Sequence, residues 1–366
     1  DVSQKLYDSL TKQKNQIRKI EETLGKTEEE DKRNQLLKDL VTARNKYQEI
    51  LIKVKEQSPQ LSSFVTVETL NISEIQKLLE PKVALIEYLA TPKELVIWVV
   101  SQNNLQVTRV PIEEKELEKL VNDYRSRMRN LAPLEEQTRK LYDIAIKPIE
   151  PWIETQKTLG IIPNGILHYI SFSSLRGPNG YLFEKHPLFY APSASVLKFT
   201  FGRKYEKKSG PVKVLALGNP DLGSLNYDLP LAELEANAIK WDFPKIDVLT
   251  REKATESWLK KHISEYQIIH IASHGEFDPV NPLFSSLKLT RDQSEDGNFE
   301  VNEVFSLDIK ADLVTLSACQ TGLGKIEGGD ELMGLNRAFF YAGTHALISS
   351  LWRVSDISTA ILIKHF

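Results

Sequence analysis

The second half of the chain alternates apolar segments of strand length with amphipathic segments, and this alternation limits the folds open to it. From residue 211 the order is strand VKVLALG, helix DLPLAELEANAIK, strand IDVLT, helix TESWLKKHI, strands YQIIHIA, SLKL and DLVTLSA, and helix DELMGLNRAFFYAG. Such a pattern favours a mainly parallel sheet with helices on both faces. Sheets of this kind place their sites beyond the carboxyl ends of strands.

A first α/β half is predicted over residues 60–205. KVALIEYL, ELVIWVV and LQVTRVPI are three successive strand patterns, and helical patterns follow at about 113–130 and 134–149. TLGIIPNGILHYISFSSL contains two apolar runs around a turn at 163–165, which favours strands closing a sheet. His168, in the second run, is interpreted as structural. FGRKYEKKSG connects this half to a second half over 211–366.

Residues 1–57 are rich in Lys, Glu, Gln and Leu and break once, at LGKTEEED, which predicts a helical hairpin with one apolar seam. The chain begins without Met and stops at LIKHF within a helical pattern. We therefore expect a fragment, with the second half incomplete at its C-terminal end.

Composition argues against several classes of function. The net charge is only −3 and no basic stripe occurs, so nucleic acid is not an expected direct partner. Apolar runs are much shorter than the roughly 20 residues of a spanning helix, so no membrane partner is expected. A single cysteine, Cys319, forms no internal disulfide and suggests a reducing, cytoplasmic location. Neither GxGxxG nor GxxxxGK[ST] follows a strand, which argues against a flavodoxin-like nucleotide module, and no cofactor is expected.

Two histidines share the segment QIIHIASHGEF, residues 267–277. On a helix, HxxxH would be a zinc pattern, but this segment has strand character. Residues four apart on a strand lie about 13 Å apart, too far for one ion to bridge, so no metal is predicted. His270 falls inside the strand and is interpreted as buried support. His274 falls at the carboxyl end, beside Gly275, whose backbone allows close approach of a substrate.

Cys319 falls where the apolar strand DLVTLSA meets the glycine-rich segment GLGKIEGGD. A cysteine here is either a small core residue or a nucleophile, and the strand end and the His-Gly strand favour the nucleophile. The 45 residues between His274 and Cys319 suit one excursion between neighbouring strands. The imidazole would then raise the thiolate fraction and later protonate an amine leaving group.

The amides of Gly275 and Cys319 would bind the oxyanion that forms in this reaction. The chemistry is acyl transfer to a thiol, and hence peptide-bond hydrolysis. No third residue that orients the base can be named from the sequence.

Several motifs in order resemble the CHAT domain, a caspase-like module commonly fused to tetratricopeptide repeats: LGIIPNGILHYISFSSL, HIASHGEF, NPLFSSLKL, LVTLSACQTG and GGDELMGLNRAFFYAGTHALISSLWRVSD. The resemblance covers about residues 80–366. It implies a caspase-like α/β fold whose first half is non-catalytic and whose second half carries a His274–Cys319 dyad. It also implies that the hairpin at 1–57 joins the domain to repeats that the chain lacks.

Two features bear on the substrate pocket that the resemblance implies. Caspases carry Gln or Asp at the place where this chain has Ser317. SSLWRVSD resembles the segment of separases whose aspartate receives a basic residue before the cut bond, which nominates Asp356. Asp330 and Glu331 are rivals, and either could instead cap the following helix.

Two hypotheses about function follow. The first is a cysteine endopeptidase that cleaves a protein substrate after a basic residue and is gated through residues 322–329 by an activating protein partner or attached repeats. The second is a catalytically silent caspase-like scaffold for protein–protein interaction. Intact His274 and Cys319 argue against the scaffold.

Overall fold

A computed structural model describes residues 29–56, 70–191, 193–197, 210–276, 284–320 and 342–350, with single positions between 9 and 27, between 335 and 340, and at 361 and 362. The chain divides into two compact units, Asp1–Thr69 and Leu70–Phe366. In the first unit, helix α1 (Glu30–Glu56) buries Leu40, Ala43 and Tyr47, which recur at helical spacing. Gln13, in a preceding helical stretch, donates its Nε2 hydrogen to the Ala43 carbonyl at 3.3 Å.

The second unit contains the remaining elements that the structure describes. Its helices are α2 (Ile72–Leu78), α3 (Glu114–Arg129), α4 (Glu135–Ala145), α5 (Glu150–Ile153), α6 (Leu182–Lys185), α7 (Pro230–Ala238), α8 (Glu256–His262) and α9 (Val301–Val304). Its strands are β1 (Val83–Ala90), β2 (Glu94–Ser101), β3 (Leu105–Pro111), β4 (Thr158–Ile162), β5 (Arg176–Gly177), β6 (Gly180–Tyr181), β7 (Leu188–Tyr190), β8 (Val214–Pro220), β9 (Ile246–Arg251), β10 (Ile268–Glu276), β11 (Ser286–Lys288), β12 (Asn298–Glu300), β13 (Leu313–Gln320) and β14 (Ala346–Ser349).

The first sheet has the order β3-β2-β1-β4-β7. The three strands predicted from alternation, β1 to β3, are confirmed and pair antiparallel, whereas β1–β4 and β4–β7 are parallel. Ala84, Ile86 and Tyr88 of β1 pack in one core with residues of α3 and α4, and Leu85 packs in a second core with Ile75 of α2. Both faces of this sheet are therefore covered.

The apolar run after the turn at 163–165 is not a strand, contrary to the expectation from the sequence. It forms two 3₁₀ turns, Gly165–Tyr169 and Phe172–Ser174. Leu167 and Ile170, and then Phe172 and Leu175, are all fully buried. Buried side chains that recur at every third residue suit the threefold repeat of a 3₁₀ turn and not the twofold repeat of a strand.

The second sheet has the order β12-β11-β10-β13-β14, with β8 also beside β10 and β9 beside β8. Strands β8, β9, β10, β13 and β14 are parallel, whereas β11 pairs antiparallel with both β10 and β12. This mixed α/β architecture, with its mainly parallel second sheet, is the predicted fold class. Of the final predicted helix, 330–343, residues 335, 336 and 338–340 are helical, and residues 330–334, 337 and 341 lie outside the described residues.

Helix α7 packs closely over β8 because residue 218 is glycine. A Cβ atom at Gly218 would lie 2.4 Å from the Ala232 carbonyl oxygen and 2.7 Å from the Ala236 Cβ. The short distance between helix and strand therefore requires a residue without a side chain. This contact fixes α7 over the face of the sheet that also carries His270 and His274.

Candidate active site

Strand β10 presents both histidines of the HIASH segment on one face of the sheet, because side chains alternate along a strand. His270 is 3% exposed, whereas His274 is half-buried. The strand does not end at Gly275 as expected, since Gly275 and Glu276 pair with β11. His274 nevertheless lies within two residues of the carboxyl end, where its ring reaches the surface.

Strand β13 brings Cys319 beside His274. The two strands are parallel, and their register pairs His274 with Cys319 and Gly275 with Gln320. Paired positions on neighbouring strands lie about 4.8 Å apart and belong to the same face of a sheet. This pairing concerns backbone positions, since the side chains of residues 318–320 lie outside the described part of the structure.

The His274 ring contacts the segment that leads from β8 into α7. Its Nε2 lies 2.9 Å from the carbonyl oxygen of Tyr227, and the two rings meet edge to face with centroids 5.9 Å apart. A carbonyl oxygen only accepts hydrogen bonds, so Nε2 carries the hydrogen in this contact. Nδ1 of a neutral ring is then the nitrogen with a free lone pair, which is the form that a general base requires.

Tyr227 is the orienting group that the sequence did not reveal. The contact uses a main-chain oxygen 47 residues upstream of His274, and a main-chain oxygen leaves no signature in residue type. The exposed aromatic residue in a turn before α7 is the only local signal, and on its own it does not point to a histidine.

His270 contacts helix α7 in the interior, four residues before His274 on β10. Its Nε2 lies 2.9 Å from the Oε1 of Glu235 on α7, and both side chains are almost fully buried. These two atoms are in close contact but do not align as a hydrogen bond. This arrangement agrees with the interpretation of His270 as buried support.

The other predicted site residues divide into two groups. Ser317 is half-buried on β13, paired with Ala272 and two residues before Cys319. Gly275 belongs to the hydrogen-bonded ladder between β11 and β13, so its role as an oxyanion donor stays a prediction. The proposed pocket residues Asp330, Glu331 and Asp356 lie outside the described residues.

Three carboxylates in the described part of the chain lie close enough to suggest a metal site: Glu256, Glu295 and Glu303. The Nζ atom of Lys260 lies 2.5 Å, 3.0 Å and 2.8 Å from one oxygen of each, respectively. The lysine ammonium therefore already supplies the positive charge that this cluster attracts. Burial, followed by the nearby Glu303, raises the pKa of Glu256 to about 7.

The fold and the site together define a caspase-like α/β protein with a histidine and a cysteine on adjacent parallel strands. The family model of the CHAT domain matches residues 135–366, and the chain belongs to this family. The match begins at the first residue of α4, after strands β1 to β3. CHAT domains are part of the caspase-like clan, which is compatible with a cysteine peptidase and with a scaffold.

A comparison with curated proteins found no match. Within the part of the chain that the structure describes, no helix has both the length and the apolar character needed to cross a membrane.

Proposed function

We propose that this chain is a cysteine endopeptidase in which Cys319 is the nucleophile and His274 is the general base. The register that pairs these two positions supports the proposal most directly. The contact of His274 Nε2 with the Tyr227 carbonyl adds to it, because it leaves Nδ1 as the basic nitrogen.

The reaction follows from these two groups. Nδ1 of His274 accepts the thiol proton, and the thiolate attacks the carbonyl carbon of the peptide bond. The carbon–nitrogen bond breaks as the imidazolium returns its proton to the departing amine. Water then hydrolyses the thioester, releases the acid and restores the thiol. Throughout, the Tyr227 carbonyl accepts the Nε2 hydrogen and stabilises the positive charge of the imidazolium.

The oxyanion is assigned to the amides of Gly275 and Cys319, which lie one residue apart in the register of the two strands. Substrate selection is assigned to Ser317 and to a carboxylate that pairs with Arg or Lys before the cut bond. Asp356 is the preferred carboxylate, and Asp330 is the alternative. Residues 322–329, directly after the nucleophile strand, are the proposed point at which an activating partner or attached repeats gate the enzyme.

A peptide library with every residue type before the cut bond tests the proposal. We expect cleavage after Arg and Lys, and a loss on the order of 10²- to 10⁴-fold in the His274→Ala and Cys319→Ala variants, as for removal of acid–base or covalent catalysis. Lys213→Met is a matched control, because Lys213 forms an exposed ion pair with Glu265 at the amino end of β8. Equal cleavage by wild type and Cys319→Ala would contradict the proposal.

Gating is tested separately by measuring this cleavage with and without a candidate partner. A higher rate with the partner supports gating through residues 322–329. Equal rates would remove the gating claim and leave the peptidase proposal standing.

A scaffold is the second candidate, and Ser317 favours it because this residue lacks the amide or carboxylate that caspases use in the pocket. A thiol-reactive peptide probe separates the two functions, since the chain has a single cysteine. Labelling of Cys319 that His274→Ala abolishes supports the peptidase. No labelling with the partner present supports the scaffold.

A further inference from the structure

Residues 221–229, between β8 and α7, form a loop that presents the Tyr227 carbonyl to His274. Its interior is a short 3₁₀ turn, Leu225–Tyr227, in which the Tyr227 amide donates to the Ser224 carbonyl at 3.1 Å. The Asp228 amide donates to the Leu225 carbonyl at 3.2 Å. Such a turn at the surface holds its own shape but does not by itself fix its place relative to β10.

Asn219 anchors the end of this loop. It is 2% exposed, and its Oδ1 accepts a hydrogen bond from the Leu229 amide at 2.7 Å. Its Nδ2 donates to Glu233 on the first turns of α7 at 3.2 Å. The Asn219 backbone has φ of +50°, a left-handed conformation that Asn tolerates better than most residues. The Asn219 side chain thereby holds the loop at Leu229, two residues after Tyr227.

Arg251 makes a second anchor at the same point. Its guanidinium forms an ion pair with Asp228, the residue directly after Tyr227. The Arg251 carbonyl accepts a hydrogen bond from Thr290 Oγ1 at 2.7 Å. The same Thr290 oxygen accepts from the Asp221 amide at 2.9 Å, so the start of the loop is fixed as well.

The charge around Arg251 fits this role. Asp228 is the main group that raises the pKa of Arg251, and Asp221 and Glu233 add to the effect. Asn219 of β8, Arg251 at the end of β9 and Thr290 in the connection between β11 and β12 all contact this nine-residue loop. Residues 228 and 229, which follow the carbonyl that meets His274, receive the two side-chain anchors.

We propose that Asn219 and the Asp228–Arg251 ion pair are positioning residues for the general base. They fix the Tyr227 carbonyl, the carbonyl holds the His274 ring, and the ring keeps Nδ1 as its basic nitrogen. The inference rests on the proposed function, in which His274 acts on Cys319. It adds residues outside the HIASH and ACQTG motifs to the machinery of the site.

Two variants test the anchors one at a time. Asp228→Asn removes the charge and keeps the shape, whereas Asn219→Gly removes the side-chain anchor and keeps a residue that adopts positive φ without strain. The first readout is the exchange with water of the His274 Nε2–H proton, seen by NMR and assigned through its loss in His274→Ala. The second is the rate at which iodoacetamide alkylates Cys319 at pH 7.

We expect both variants to speed Nε2–H exchange and to slow alkylation by about five- to tenfold, a part of the 10²- to 10⁴-fold that acid–base catalysis supplies. Arg251→Lys keeps the charge and should stay within about twofold of wild type, whereas Arg251→Met should behave like Asp228→Asn. Lys213→Met, which breaks an ion pair at the other end of the strands, should leave both readouts unchanged.

The outcomes separate the two proposals. Unchanged exchange and unchanged alkylation in folded Asp228→Asn and Asn219→Gly, with melting temperatures near wild type, would overturn the positioning role. Alkylation that does not respond to His274→Ala would overturn the proposed function instead. Nε2–H exchange would still decide on the positioning role, because it is measured on His274 and not on the thiol.

Discussion

The central strands of the two sheets end in the same way but differ in exposure. Tyr88 lies two residues before the end of β1, and His274 lies two residues before the end of β10. Each ring has a polar atom on a main-chain carbonyl: Tyr88 Oη donates to Ala145 at 3.1 Å, and His274 Nε2 meets Tyr227 at 2.9 Å. Tyr88 is 2% exposed, whereas His274 reaches the surface.

Burial decides what each ring can do. Tyr88 packs against Phe172 with ring centroids 5.2 Å apart, and burial raises the pKa of its phenol well above its usual value. A sealed phenol with a satisfied hydrogen bond stabilises the core but takes no part in proton transfer near neutral pH. The second sheet uses the corresponding place for an imidazole ring that reaches solvent. The same strand geometry thus serves packing in one sheet and chemistry in the other.

Truncation of the two rings gives the largest expected contrast. Tyr88→Ala should lower the free energy of unfolding by about 3–5 kcal/mol, because it leaves a cavity in a full core. It should not change alkylation of Cys319 in the folded protein. His274→Ala should cost less than about 1 kcal/mol, as a half-exposed site does, yet slow alkylation. Denaturant unfolding measures the stability, and iodoacetamide kinetics measure the alkylation of Cys319. Similar losses of stability in the two variants would contradict the proposed difference between the two rings.

Adding one methyl group to a glycine of each sheet gives the next effect. Gly218→Ala places Cβ 2.4 Å from the Ala232 carbonyl, so α7 must move. We expect a loss of about 1–3 kcal/mol together with slower alkylation, because α7 carries the end of the 221–229 loop.

Gly160→Ala on β4 is the matched variant in the first sheet. The atoms nearest to its Cβ are the outer ends of the Phe189 and Leu85 side chains, which move more easily than a backbone carbonyl. Its cost should therefore be smaller, and alkylation should not change. A slower alkylation in Gly160→Ala would show that the site senses strain from either sheet.

The last effect, no larger than the loss expected for Gly218→Ala, concerns the pH dependence of stability. The pKa of Glu256 is about 7 in the folded protein against 4.5 ordinarily, so between these values the folded state binds more protons than the unfolded state. Its contribution is complete below pH 4.5 and is lost as the pH rises through 7. We expect this fall to amount to about 1–3 kcal/mol, and Glu256→Gln to remove it. Parallel stability curves for wild type and Glu256→Gln from pH 4 to 8 would contradict the expectation.

Most strands of the fold could be predicted from the pattern of apolar residues in the sequence. The patterns KVALIEYL, IDVLT and YQIIHIA each coincide with a strand, because alternating or continuous apolar residues suit one or two buried faces. The prediction of a strand after 163–165 was wrong because the buried residues there recur at every third position. In a short segment that is apolar throughout, this repeat cannot be distinguished from the alternation of a strand. Strand β10 also continues through Gly275 to Glu276, where both residues pair with β11, a strand that follows later in the chain.

The candidate site was predictable only in part. His274 and Cys319 were nominated from strand ends, and the structure pairs their backbone positions. Tyr227, Asn219 and Arg251 were not, because their roles depend on a main-chain oxygen, a left-handed backbone and a loop that returns to the sheet. None of these follows from residue type alone.

The most direct test of the central claim is the pH dependence of Cys319 alkylation by iodoacetamide in wild type and His274→Ala. An isolated thiol has a pKa near 8.5, so its alkylation rate falls about tenfold for each pH unit below that value. We expect a wild-type rate at pH 6.5–7 at least about tenfold above that of His274→Ala, with convergence above pH 9. Superimposable curves across the whole range would contradict it, because the imidazole would then have no influence on the sulfur.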